Sequence, residues 1–277
     1  MLLQDRILRH GHDLFVGRNA ECALFQEALT APTWPWHLLH VYGPGGIGKT
    51  ALLSEFRYLA QEAQIDELSL DTRDMGRTPD AFAQAVDLAL HRPDMSKRFL
   101  LTIDGVEADS DLGDWLRRSF LPTIDEHLLV VLASRHQPAA DWMDAPGWEA
   151  ETRTIRLANL SLEESQAFLE ARDVSKACSS KAPSLTHGHP FALTLVADHC
   201  RRHPDQQFDF DDQPDIVRTL LQRFIEETPS GKHRKALEAA ALTRTLTQPL
   251  LEHLLGEDDA LALFDWLRAR TFIESES

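Results

Sequence analysis

The chain lacks long apolar runs, closely spaced cysteines and an excess of basic residues. No uncharged stretch approaches the ~18 residues that a membrane-spanning helix needs, and the N-terminus lacks the apolar core of a signal peptide. Its three cysteines, at positions 22, 178 and 200, form no C-x-x-C pair and have no histidines at metal-binding spacing. We therefore expect a cytoplasmic protein without a membrane span, whose thiols are reduced and structural.

Acidic residues outnumber basic residues by 44 to 28, which gives a formal net charge of −16. Nucleic-acid phosphates are bound by clustered Lys and Arg side chains, so this balance argues against a broad nucleic-acid surface. One basic cluster, Lys232 to Lys235, falls on a predicted helix, where a solvated helix face is the simpler interpretation. We expect no direct nucleic-acid partner for this chain.

A complete phosphate-binding pattern, G-x-x-x-x-G-K-[ST], stands at residues 43–50. Its glycines let backbone N–H groups converge on a polyphosphate, Lys49 can reach the β- and γ-phosphates, and the Thr50 hydroxyl can ligate Mg²⁺. A strand-type run precedes the loop and a helical pattern follows it, as the motif requires. The alternative interpretation of residues 43–50 is a glycine-rich turn that binds nothing. The predicted nucleotide-binding residues here are Gly43, Pro44, Gly45, Gly46, Ile47, Gly48, Lys49, Thr50 and Ala51.

Strand-like runs alternate with helical patterns up to about residue 160, which predicts an α/β fold with a parallel sheet covered by helices on both faces. The five runs are 38–42, 67–71, 99–103, 128–133 and 153–157. In such sheets, ligands bind at the carboxyl ends of the strands, where the phosphate loop also lies.

Three domains are expected along the chain. A P-loop nucleotide-binding domain covers 1–158, and a helical lid covers 159–228, opening with a capping box at Ser161 and Glu164. A winged-helix-like domain covers 229–277 and stops at the strand start 271–274, so we expect a piece of a longer protein.

The run 99–103 leads into Asp104, the expected form of a Walker B strand. Asp104 would hold Mg²⁺ through water beside Thr50, and the alternative is an aspartate that caps a turn. The next position is Gly105, so the usual adjacent acid is absent and Glu107 is the nearest candidate base, or else a solvated loop residue. The predicted catalytic residues are Glu107, Lys49 and Asp104, and we expect slow hydrolysis.

Other candidates for the site lie outside these motifs. Arg135 ends the run 128–133 in a Ser-Arg pair, where it could sense the γ-phosphate, or it is an exposed strand-end arginine. Arg18, in the apolar turn F-V-G-R, can pair with a phosphate or a carboxylate, and Pro190 follows His-Gly-His at a helix start. Residues 71–74, after the second strand, could also face the phosphates, but they are not included in the predicted site.

Taken in order, F-V-G-R-x-x-E, G-P-G-G-I-G-K-T, a strand ending I-D-G-V-E, a strand ending S-R, and G-H-P-F-A-L resemble the STAND nucleotide-binding regulators. These are NB-ARC/NACHT-like P-loop NTPases of the ASCE/AAA+ type, and the chain looks most like their bacterial branch, the large LuxR-type ATP-binding regulators. The resemblance implies a five-stranded sheet with the sensor strand between the two Walker strands, then a helical lid and a winged helix.

The resemblance also implies residue roles. Val16 and Gly17 would line the adenine pocket, Arg18 would approach the phosphates, and Pro190 would close over the base. Gly105 departs from the pattern, because NB-ARC members carry a second acid there, and this leaves the catalytic base open.

The predicted function is an ATP/ADP switch for signal transduction and transcription regulation, with slow Mg²⁺-dependent ATP hydrolysis. The resemblance implies that ADP holds a closed state and that exchange for ATP opens it for self-association or for action on effector and sensor domains. Two alternatives stay open: a P-loop small-molecule kinase, and a DNA-associated ATPase of the initiator or loader type.

Overall fold

The structure is a computed structural model that describes residues 2–75, 78–90, 97–107, 110–138, 147–203, 208–209, 213, 215–216, 218–220, 222, 228, 230–243, 245–256 and 260–268. The chain divides into two compact units, Met1–Ala158 and Asn159–Ser277. Each unit is described by itself.

The first unit alternates helices with parallel strands. Its elements are α1 (Leu3–Asp13), α2 (Asn19–Thr30), β1 (Leu38–Tyr42), α3 (Lys49–Glu62), β2 (Asp66–Asp71), α4 (Thr72–Met75), α5 (Pro79–Leu90), β3 (Phe99–Asp104), α6 (Asp111–Trp115), β4 (Leu128–Ser134), α7 (Trp148–Glu151) and β5 (Thr152–Arg156). A π-helical turn, Leu116–Phe120, and a 3₁₀ turn, Leu121–Thr123, follow α6.

The five strands form one parallel sheet in the order β2-β3-β4-β1-β5. The strand that precedes Arg135, β4, therefore lies between the phosphate-loop strand β1 and the strand β3 that ends in Asp104. All seven residues of β4 are buried, because a central parallel strand is covered on both faces. This sheet confirms the α/β fold class predicted from the sequence.

Two apolar clusters cover the two faces of the sheet. On β4, Val131 joins the cluster that contains Phe25 of α2 and Phe56 of α3, whereas Val130 joins the cluster that contains Phe82 of α5. Successive residues of a strand point to opposite faces, so each face receives every second side chain. Burying one such side chain contributes about 1.5–3 kcal/mol to the stability of the fold. The two apolar clusters therefore hold the strands, and with them the strand ends, in place.

The second unit is helical in its described residues. Its helices are α8 (Leu162–Glu170), α9 (Lys176–Ser179), α10 (Ala182–Leu185), α11 (Pro190–Arg202), α12 (Gly231–Ala241), α13 (Gln248–Leu255) and α14 (Ala260–Arg268). The capping box of α8 is confirmed: the Ser161 hydroxyl accepts from the Glu164 backbone at 3.1 Å, and the Glu164 carboxylate accepts from the Ser161 backbone at 2.8 Å.

The helices α12, α13 and α14 share one apolar cluster, which includes Ala236, Leu251 and Leu263. The strand expected at 271–274 lies outside the described residues. The winged-helix-like assignment and the three domain bounds therefore stay predictions. Among the described residues, no helix is long and apolar enough to cross a membrane.

Two of the three cysteines differ from the sequence prediction. Cys178 on α9 and Cys200 on α11 form a disulfide, with both residues buried and their Cα atoms 5.8 Å apart, whereas Cys22 is a free thiol. The expectation of three reduced thiols is wrong for this pair in the structure. Its spacing of 22 residues gave no signal, because only the packing of α9 against α11 brings the two positions together.

A candidate nucleotide-binding site

The phosphate loop, residues 43–48, connects the end of β1 to the start of α3. Gly48 is the residue before the helix and has a φ of +98°, in the left-handed region that favours glycine. The first N–H groups of a helix have no intrahelical acceptor and carry a partial positive charge, so they attract phosphate. Thr50 and Ala51 lie in this first turn, while Ile47 is buried in the core and anchors the loop.

Lys49 is folded back onto its own loop. Its Nζ donates to the carbonyl oxygens of Gly43 at 2.6 Å and Pro44 at 2.9 Å. These two contacts hold the ammonium group over the first half of the loop. The position of the ammonium group favours a contact between Lys49 and a bound phosphate, but that contact stays a prediction.

Thr50 and Asp104 meet at the carboxyl edge of the sheet. The Thr50 hydroxyl donates to Asp104 Oδ2 at 2.5 Å, which joins the start of α3 to the end of β3. Asp104 is 9% exposed. Hydroxyl and carboxylate oxygens are the hard ligands that Mg²⁺ prefers, and Mg²⁺ commonly takes only one or two protein ligands beside phosphates and waters. The oxygen donors of Thr50 and Asp104 therefore fit Mg²⁺. The described residues contain no larger metal site, that is, no group of three or more His, Cys, Asp or Glu placed to hold a metal.

Residues 71–73, which the sequence left outside the site, reach Asp104. The guanidinium of Arg73 is bonded to Asp71 and also donates to Asp104 Oδ2 at 3.2 Å. The pKa of Arg73 is raised, first by the hydrogen bond to Asp71 and also by the charges of nearby carboxylates. A signal existed in the sequence, since these residues directly follow a strand, but which strand lies beside β3 could not be deduced from it.

Glu107 lies beside Arg135 and His136, which directly follow β4. Arg135 Nε is 3.7 Å from Glu107 Oε1, and His136 Nδ1 is 3.5 Å from Glu107 Oε2. The backbone of Val106 donates to Ala133 at 3.0 Å, which ties this segment to the neighbouring strand. The structure thus brings together Glu107 and Arg135, which the sequence predicted separately, and adds His136, which carried no recognisable signal.

Gly105 occupies the position where a second acid would stand in the NB-ARC pattern. Its φ is +79°, and a Cβ built on it would lie 2.9 Å from the hydroxyl of Thr72. That hydroxyl donates to the Gly105 carbonyl at 2.8 Å, which closes the turn. A side chain at position 105 would therefore be strained in this turn, which disfavours the second acid in physical terms.

A buried polar chain supports the loop that carries Arg135. His40 Nε2 lies 2.8 Å from the Ser134 hydroxyl, which itself donates to the His136 carbonyl at 2.6 Å. Since the Ser134 proton is used in that second bond, His40 is the donor in the first. Burial lowers the pKa of His40 to about 4, so the ring is neutral at physiological pH.

Arg18 connects three segments of the first unit. It has a φ of +60° before α2, and its buried guanidinium donates to the carbonyls of Ile47 at 3.1 Å and Ala158 at 2.6 Å, with Glu21 at 3.8 Å. In this structure, the Arg18 side chain thus contacts the backbone of the phosphate loop. Contact with a phosphate, and the lining of an adenine pocket by the half-buried Val16 and Gly17, stay predictions.

Pro190 is the first residue of α11 in the second unit, preceded by His189, which is buried. Proline suits the first turn of a helix, where its missing N–H has no intrahelical acceptor. The predicted contact of Pro190 with a nucleotide base stays a prediction.

Comparison with known proteins finds the fold but no family. No protein-family model and no curated protein matches the chain. Among solved structures, the Holliday junction branch migration motor RuvB of Thermotoga maritima is 18% identical, with a TM-score of 0.52 over 90% of this chain and 85% of that one. A point mutant of the same RuvB, with glycine in place of a proline, is also 18% identical, with a TM-score of 0.52 over 90% of this chain and 86% of that one. At this identity the likeness shows the fold alone: the chain has the fold of RuvB.

Proposed function

We propose that this chain is an ATP/ADP-binding switch of the STAND type, with slow Mg²⁺-dependent hydrolysis, and the regulatory ATPase core of a larger regulator. The observation that carries the proposal is the hydrogen bond between Thr50 and Asp104. It joins the phosphate loop and the β3 carboxylate at one point of the sheet edge. A P-loop hydroxyl and a strand-end carboxylate are the protein groups that hold the metal of a bound nucleotide in P-loop ATPases.

Each group has a role in this proposal. The N–H groups of the loop and of the first turn of α3 bind the phosphates, and Lys49 balances their charge. Thr50 and Asp104 hold Mg²⁺, which neutralises phosphate charge when it is bound. Val16 and Gly17 line the base, and Arg18 approaches the adjoining phosphates.

The pairing of Glu107 with Arg135 supports a switch rather than a fast enzyme. While Arg135 lies beside Glu107, its guanidinium competes with water for the carboxylate. A γ-phosphate that attracts Arg135 would release Glu107, so ATP and ADP would stabilise different arrangements of this loop. Differential affinity for two arrangements is what a ligand-operated switch requires.

Arg135→Ala tests this role. We expect the variant to lose affinity for a non-hydrolysable ATP analogue by about tenfold, because a charge-assisted bond to the γ-phosphate is lost. The affinity for ADP should change by less than about twofold, since ADP lacks that group. Both affinities are measured with Mg²⁺ by displacement of a fluorescent ADP analogue.

The matched control is Arg118→Ala, which removes an exposed arginine from the π-helical turn of the same unit. It should leave both affinities unchanged. Equal losses for ATP analogue and ADP in Arg135→Ala, or no loss at all, would contradict the sensor role.

A DNA-associated ATPase is the second candidate, favoured by the likeness to a Holliday junction branch migration motor. The net charge of −16 weighs against it. Hydrolysis that is stimulated by DNA and falls steeply with salt would support this candidate. The same assay with metabolite acceptors in place of DNA tests the kinase alternative, which predicts nucleotide consumption that depends on an acceptor hydroxyl.

A further inference from the structure

The short segment after β2 brings a second carboxylate and an arginine to the metal position. The strands β2 and β3 pair in parallel with Asp71 opposite Asp104, so both carboxylates emerge at the same edge of the sheet. Arg73 follows two residues after Asp71, in the first turn of α4. This register places one guanidinium within reach of both acids.

Arg73 is held mainly by Asp71. Its backbone N–H donates to Asp71 Oδ1 at 2.9 Å, and its Nε donates to the same oxygen at 2.8 Å. Its Nη2 reaches both Asp71 Oδ2 and Asp104 Oδ2. The Asp104 oxygen that receives Arg73 is the one that accepts the Thr50 hydroxyl, so a cation is already present on the carboxylate predicted to bind the metal.

The two ends of this ion pair differ in exposure. The Asp104 side chain is 12% exposed, whereas the Arg73 side chain is 52% exposed. A buried carboxylate without a compensating cation is costly, so Arg73 stabilises the charge of Asp104. A half-exposed guanidinium on a short helix can turn into water at little cost, which leaves the carboxylate accessible to another cation.

We propose that Arg73 is a positioning residue that neutralises Asp104 while no metal–nucleotide is bound and competes with Mg²⁺ for that carboxylate. This inference rests on the proposed nucleotide site. It adds a built-in counter-cation, so that nucleotide-bound Mg²⁺ must displace Arg73 before Asp104 can hold it. Asp71 keeps the displaced guanidinium close to the site.

The test measures how Mg²⁺ changes the binding of a fluorescent ADP analogue to the full chain after bound nucleotide has been removed. For Arg73→Gln, we expect half-maximal enhancement at a Mg²⁺ concentration about fivefold lower than for the wild type, the scale of one partly exposed ion pair. Without Mg²⁺, in excess EDTA, the dissociation constant should stay within about twofold of the wild-type value. Arg73→Lys, which keeps the charge, should restore the wild-type midpoint.

Arg118→Gln is the control for a general change of charge and should leave the Mg²⁺ midpoint unchanged. If Arg73→Gln weakens binding in EDTA by fivefold or more, Arg73 is a phosphate ligand and the proposal is wrong. An unchanged Mg²⁺ midpoint would show a surface ion pair only and would equally overturn it. Arg73→Ala makes the same comparison if the glutamine variant does not fold, as judged by thermal unfolding. If the wild type binds no ADP analogue at all, it is the proposed function that fails.

Discussion

Gly105 directly follows β3 and has a φ of +79°, a conformation that residues other than glycine adopt rarely. The built Cβ position is 2.9 Å from the Thr72 hydroxyl, which belongs to the turn that holds Arg73. At the scale of a single residue, the backbone conformation of Gly105 therefore disfavours an acid next to Asp104. Glu107, whose carboxylate lies 3.7 Å from the guanidinium of Arg135, is then the candidate base.

We expect Gly105→Ala to lower the free energy of unfolding by about 1–3 kcal/mol, through backbone strain and the contact with Thr72. Chemical denaturation with urea measures this difference. Gly11→Ala is the matched control: it lies in α1 with nothing within 4 Å of its built Cβ. That change should stabilise the protein by up to about 1 kcal/mol. Equal effects of the two substitutions would refute the strain at Gly105.

His40 makes stability depend on pH. Its pKa is about 4 in the folded protein because of burial, below the ordinary value of 6.5. The unfolded chain therefore takes up a proton at a higher pH than the folded chain, so stability is lost as the pH falls from the ordinary value towards 4. Between about pH 7.5 and about pH 5, this residue should cost about 2 kcal/mol of unfolding free energy.

The contribution of His40 is isolated by comparison with His40→Asn, because the other histidines are the same in both proteins. We expect the loss between the two pH values to be about 2 kcal/mol smaller in the variant, measured by urea denaturation at each pH. Identical losses in the two proteins would contradict a buried, neutral His40.

At the scale of elements, the positions of the strands in the sequence were more predictable than the order of the strands in the sheet. The run 38–42 matches β1, and the run 128–133 differs from β4 by one residue, because continuous apolar runs are typical of buried parallel strands. The adjacency of β2 and β3 could not be deduced from that pattern, so Arg73 was left out of the site. The helix α1 was missed altogether, although Leu3 and Ile7 stand at the i, i+4 spacing of a helix.

The capping box of α8 is an element whose sequence pattern sufficed. We expect Ser161→Ala to lower the free energy of unfolding by about 1 kcal/mol, because the first turn of α8 loses a hydrogen-bond acceptor. Urea denaturation provides the measurement. Ser119→Ala, at an exposed position of the π-helical turn, should change it by less than about 0.5 kcal/mol. A neutral Ser161→Ala would show that the box does not stabilise the helix.

At the scale of the whole molecule, a local sequence motif located the site, and the packing of the fold determined which other residues lie beside that motif. The pattern at 43–50 identified Lys49 and Thr50 because the phosphate loop is contiguous in sequence. The other residues of the site stand at or after the ends of β2, β3 and β4, so the contacts of Asp104 with Arg73 and of Glu107 with Arg135 depend on the sheet order. The same reason explains the disulfide, whose two cysteines only the helix packing brings together.

The most direct test of the proposed switch is the nucleotide that the protein carries. Freshly purified protein is denatured, and the released nucleotide is identified by chromatography beside Lys49→Ala and the control Lys176→Ala, an exposed lysine of the second unit. We predict about one ADP per chain in the parent and the control and almost none in Lys49→Ala, because the loop lysine balances the phosphate charge. No nucleotide in the parent, together with rapid turnover of added ATP, would contradict a switch that rests with ADP bound.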